Sequence, residues 1–61
     1  MISRIWNKQQ TQATIKALRA EGYEVAKVSN GYEAKLDGNL IFKAMIGTRA
    51  YLVRYDANLF S

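Results

Sequence analysis

From Tyr32 to Ile46 the chain reads Tyr-Glu-Ala-Lys-Leu, Asp-Gly-Asn, Leu-Ile-Phe-Lys-Ala-Met-Ile, two runs of period-2 alternation on either side of turn residues. This is the signature of a β-hairpin, and it has two candidate registers. If Asp37, Gly38 and Asn39 form the loop, Leu36 faces Leu40, Ala34 faces Phe42 and Tyr32 faces Ala44, so one face is wholly apolar. The other face then sets Glu33 against Lys43 and Lys35 against Ile41. The commoner two-residue Asp-Gly loop slips the pairing by one and puts Glu33 on Phe42 and Lys35 on Leu40. The unbroken apolar face decides for the longer loop.

Turn chemistry extends the hairpin in both directions. Tyr23 to Val28 reads as a strand, and Asn30-Gly31 suits a two-residue turn that sets Val25 against Leu36 and Lys27 against Ala34. Lys27 is the misfit on that face, tolerable on an edge strand where its stem can snorkel. Gly47-Thr48 suits a second turn, which sets Phe42 against Val53, Ala44 against Tyr51 and Leu40 against Tyr55. All three turns give one inner face: Tyr23, Val25, Tyr32, Ala34, Leu36, Leu40, Phe42, Ala44, Ile46, Tyr51, Val53 and Tyr55. Agreement of local and global pattern is what a foldable sequence shows.

Ahead of the sheet, Asn7 with Gln10 three residues on has the spacing of a capping box, and a helix is expected from about Lys8 to Glu21. Thr11, Thr14, Ile15 and Leu18 share one side of it, with Ala13, Ala17 and Ala20 flanking them as small residues that allow close approach to a sheet. Gly22 supplies the left-handed residue that ends helices. Met1 to Trp6 is an apolar arm open to two readings, a short strand or a first helical turn. Leu59 and Phe60 in the tail Asp56 to Ser61 are expected to pack on something. The fold class is therefore α+β: one N-terminal helix packed on a four-stranded antiparallel β-meander in sequence order, strands near 23–28, 32–36, 40–46 and 50–55, forming a single small domain over residues 1–61.

A domain of 61 residues buries only about 60% of the surface its unfolded chain exposes. The usual staples of so small a fold are missing, because Cys and His are both absent. Oligomerisation is the staple left, and a homo-oligomer, most simply a dimer, is expected. No apolar run reaches the ~18 residues of a membrane span, and Met1 to Trp6 is too short and mixed for a signal peptide, so the expected location is cytoplasmic, with no membrane partner.

The expected registers leave Val28, Ile41, Met45 and Leu52 on the outer face of the sheet, where a single helix cannot reach them. They are the candidate interface, to be met by a second copy, by a partner protein or by the chain's own ends. Nine Lys and Arg against five Asp and Glu give a net charge of +4. Lys8, Lys16 and Arg19 on the helix and Lys35, Lys43 and Arg54 on the sheet are the candidate phosphate contacts if the partner is a nucleic acid. Single-strand binding usually adds exposed aromatic platforms, and here the strand tyrosines and Phe42 point inward.

Catalysis has thin material. Without His or Cys a general base must be a carboxylate, and Glu24, Glu33, Asp37 and Asp56 sit at turns or solvated strand positions. Ser3, Ser29 and Ser61 lack an identifiable base, no Gly-rich phosphate loop or nucleophile elbow occurs, and no carboxylates have metal-ligand spacing. The expectation is a non-enzymatic binding module without cofactor or metal, self-associating and acting through a protein partner. The alternative is a basic nucleic-acid-binding protein that contacts phosphates through the helix and the outer sheet face.

The run Leu18-Arg19-Ala20-Glu21-Gly22-Tyr23 ahead of a short meander resembles HicA-type toxins, small messenger-RNA-cleaving proteins with a fold like that of double-stranded-RNA-binding domains. Their histidine in the strand after the first turn has no counterpart at Asn30-Gly31-Tyr32, so the resemblance does not carry cleavage activity to this chain. A helix followed by bent strands is also similar to Sm-like barrels, whose glycine spacing and Asp/Asn RNA-binding motif are not matched. Neither resemblance is adopted as an assignment.

Overall fold

The computed structural model describes residues 1–60; Ser61, one of the serines considered above, lies outside them. The chain runs β1 (Ile2–Trp6), α1 (Lys8–Ala20), β2 (Glu24–Val28), β3 (Gly31–Leu36), β4 (Asn39–Ile46) and β5 (Tyr51–Tyr55). It is α+β, with one helix on an antiparallel sheet. The sheet has five strands where four were expected, in the order β1-β5-β4-β3-β2. The fifth is the N-terminal arm. Ile2 pairs with Tyr55 and Trp6 with Tyr51, so β1 closes the edge of β5 that a bare meander leaves open.

The helix has to carry the chain from β1 at one edge to β2 at the other. Its 13 residues rise about 20 Å, close to the roughly 19 Å width of five strands. Asn7 caps it from an extended conformation, its side chain accepting from the Gln10 amide at 2.7 Å. At the far end the amides of Gly22 and Tyr23 donate to the carbonyls of Arg19 and Leu18, both at 3.1 Å, with Gly22 at φ 95°. That pair of bonds is a Schellman cap, and it sets Tyr23 beside Leu18 against the core.

Thr11, Ile15 and Leu18 are the buried helix residues, as the wheel predicts. The flanking alanines are not the point of approach, because Ala13, Ala17 and Ala20 are all exposed. The small residues that let helix and sheet meet lie in the sheet, where Ala34 and Ala44 are fully buried beside Phe42 and Val53. Thr11 is buried without penalty, since its hydroxyl donates to the Asn7 carbonyl at 2.9 Å.

Each of the three hairpins departs from its expected register. Between β3 and β4 both candidate registers occur. Asp37 (φ 53°) and Gly38 (φ 82°) form a tight two-residue turn, with Leu36 opposite Asn39 and Lys35 opposite Leu40. A shift at Ala34/Lys35 then restores Ala34 to Phe42, Glu33 to Lys43 and Tyr32 to Ala44. Turn chemistry wins at the tip, the apolar pattern wins in the body, and a β-bulge at Ile41 takes up the extra residue. Between β2 and β3 the turn is Ser29-Asn30, so Val25 meets Ala34 and Lys27 meets Tyr32. Between β4 and β5 the connection runs from Gly47 to Ala50, closed by the Gly47 amide donating to the Ala50 carbonyl at 2.9 Å, and Phe42 meets Tyr55 while Ala44 meets Val53.

Both outer hairpins thus differ from expectation by two positions. An even shift leaves every side chain on its face, so the inner set largely survives. Ala34, Phe42, Ala44, Tyr51 and Val53 form the core with Ile15 and Leu18, and Tyr23, Val25, Tyr32 and Tyr55 pack against it. Leu36, Leu40 and Ile46 do not join it: they flank the hairpin tip, the bulge and the last turn, and are exposed. Leu59 reaches the core from the tail, and Phe60 rests on Trp6 and Tyr55 with ring centroids 6.1 Å and 5.1 Å away.

Candidate interaction surfaces

Two surfaces follow from the observed registers. The first is the sheet face turned away from the helix. Across it one row runs Ile5, Leu52, Met45, Gly31, Val28, each residue paired with the next. Three of the four candidate interface residues, Val28, Met45 and Leu52, therefore share a single row. The fourth does not: the bulge displaces Ile41, which packs against the core and lines a cleft with Tyr23, Leu36 and Leu59. Its place in the row belongs to Ile5, 75% exposed, in the arm whose sequence fits either a strand or a helical turn. Leu52 is 43% exposed, and Val28 and Met45 are half-buried.

Among the described residues the terminal segments do not cover this row. β1 joins the sheet instead of crossing it, and the C-terminal turn packs around Trp6 and Tyr55 on the helix side. Among the described residues no other segment lies over it. The edges on either side are guarded. Arg4 on β1 and Lys27 on β2 stand at the two ends of one inner row, Arg4-Val53-Ala44-Tyr32-Lys27, and a charge at an edge disfavours strand addition.

Next to the apolar row lies a polar one, Ser3, Arg54, Lys43, Glu33, Ala26. Lys43 Nζ is 3.9 Å from Glu33 Oε2, a half-buried surface pair worth about 1 kcal/mol. Lys35 faces Glu24 on β2. Three of the six candidate phosphate contacts, Lys35, Lys43 and Arg54, thus share their face with two carboxylates.

The other three, Lys8, Lys16 and Arg19, are exposed on the helix. They form the second surface, on the opposite side of the molecule, so one ligand cannot use all six. Arg4 and Lys27, which the sequence reading did not count, flank the helix at either edge of the sheet and are exposed. Arg49 shares a cleft with Lys8, and Asp56 opens the C-terminal turn on the same side, so this layer holds six cations and two carboxylates, Glu21 and Asp56, while the remaining three cations and three carboxylates balance. The whole net charge of +4 is the charge of the helix layer.

Among the described residues no three Asp or Glu lie close enough to hold a metal ion, and no buried side-chain nitrogen or oxygen lacks a partner. No described helix is long and apolar enough to cross a membrane. Comparison with known proteins yields no matching family model, no matching curated protein and no matching solved structure.

Proposed function

We propose that the protein is a non-enzymatic interaction module that self-associates through the outer face of its sheet. The observation that carries this reading is the row Ile5-Leu52-Met45-Val28, apolar from one edge of the sheet to the other and uncovered among the described residues. The edge charges Arg4 and Lys27 favour stacking of faces over joining of edges. A second copy is the occupant that serves each patch twice, which suits a small domain short of buried surface.

The face also sets the strength. Five strands of about five residues make a surface about 19 by 17 Å, less than the roughly 800 Å² per partner of a standard interface. A weak, concentration-dependent dimer is expected, not a permanent one. Sedimentation tests it: partial dimer in the high micromolar range, lost on Leu52→Lys with the melting temperature unchanged. A wild-type monomer throughout that range would remove this function.

The charge distribution favours a second reading, in which the helix layer holds a nucleic-acid backbone. The cations around the helix, with the outer sheet face near neutral, favour phosphate contact at Lys8, Lys16 and Arg19 over Lys35, Lys43 and Arg54.

A further inference from the structure

Of the two orientations open to a face-to-face pair, only one brings the apolar rows together and opposite charges together at once. A two-fold axis lying between the sheets runs either parallel or perpendicular to the strands. The perpendicular axis keeps each strand over its own copy and reverses the rows. It sets Arg54, Lys43 and Glu33 over the apolar row, or, if centred on that row, Leu52 against its own copy. The parallel axis, placed above β4, reverses strand order and keeps rows aligned. β5 then lies over β3, because these are the two neighbours of β4.

That exchange joins opposite charges. In the polar row Arg54 occupies the β5 position and Glu33 the β3 position, one on each side of Lys43. In the apolar row Leu52 comes above Gly31, which carries no side chain, and Met45 meets its own copy. Sheet twist draws the edges apart, so these three central strands make the contact.

Resting on the self-association reading, we infer that a second copy of this chain docks about a two-fold axis parallel to the strands above β4, with Arg54 of each copy against the partner's Glu33. Two pairs form for one axis. Lys43 lies near the axis in both copies, and its repulsion is moderated by Glu33 of its own chain 3.9 Å away.

Exchange of charge in trans tests the inference. Arg54→Glu leaves carboxylates at both positions of a homodimer, and Glu33→Arg leaves guanidinium groups at both. Each variant alone is expected to associate at least tenfold more weakly than wild type. Mixed one to one, they regain wild-type association as a heterodimer, because both pairs are again opposite in sign. If wild type dimerises but the mixture stays monomeric, the axis is wrong and self-association stands; if wild type is a monomer at high micromolar concentration, both readings fall.

Glu33→Arg also sets an arginine beside Lys43 of its own chain, so a second measurement avoids that position. The chain has no cysteine, and Met45→Cys places a thiol next to the axis. A short bis-maleimide is expected to link Met45→Cys into dimers and to leave Lys27→Cys, on the helix side of β2, monomeric. Dimers at Lys27→Cys and none at Met45→Cys would overturn the axis.

Discussion

A methyl group at position 31 has nowhere to go. A Cβ built on Gly31 falls 1.8 Å from the Ala44 carbonyl oxygen, a backbone atom that cannot swing aside. Gly38 is the contrast, with φ 82° at the hairpin tip and nothing within 4 Å of a Cβ. Gly31→Ala is therefore expected to cost about 3 kcal/mol or more by forcing β3 from β4, and Gly38→Ala about 1–2 kcal/mol from backbone strain alone. Urea titrations of the two variants separate them. In a chain of total stability near 5 kcal/mol, the first change leaves a measurable unfolded fraction in water. The same residue explains a misreading. Asn30-Gly31 has the composition of a tight turn, and nothing in the sequence says that the glycine is needed one step later, inside the ladder and against a strand more than ten residues away. Packing outranked turn preference there. Asn7 was readable because its task is local: its side chain bonds an amide three residues on. Asn7→Ala should cost about 1 kcal/mol by the same titration.

At the scale of elements, legibility followed sequence distance. The helix and its two caps lie within a window of sixteen residues, Asn7 to Gly22, and were read to within one residue. The strands were found, and so were most of their faces, because period-2 alternation fixes parity. It does not fix register, since a shift of two leaves each apolar set intact; the turns have to supply that, and all three differ from the loops expected for them. The arm Ile2–Trp6 stayed ambiguous for a different reason. Arg4 interrupts its inward-facing set, and its partner strand is at the other end of the sequence. That ambiguity also hid Ile5, and the bulge could not be foreseen, so the candidate row was legible at three of its apolar positions. The C-terminal turn makes a separate prediction. Trp6 is the single tryptophan and stands within 6.1 Å of the Phe60, Tyr55 and Phe42 ring centroids. Phe60→Ala should shift Trp6 emission to the red and lower stability by about 1 kcal/mol, while leaving the outer face unchanged. An unaltered emission maximum would mean that the turn does not shield the indole.

For the molecule as a whole, the two layers divide the chemistry: the helix side holds the net charge and the outer sheet face holds the exposed apolar row. Retention on a nucleic-acid column tests the charged side. If it binds, the logarithm of affinity should fall linearly with the logarithm of salt, and Lys16→Glu with Arg19→Glu should abolish retention. Lys35→Glu, on the balanced face, should change it little. Equal losses from both faces, or no retention at low salt, would remove the nucleic-acid reading. The pairing of β1 with β5 has a consequence in time. Ile2 meets Tyr55, so β1 leaves the ribosome about five seconds before its partner β5 at roughly 10 residues per second. Until then the nascent chain carries an indole without its aromatic neighbours and a strand without a ladder. Hairpins β2–β3, β3–β4 and β4–β5 can zip in turn, but the sheet is sealed only after β5 emerges. Completion of the fold is therefore timed by the emergence of β5 and reported by Trp6.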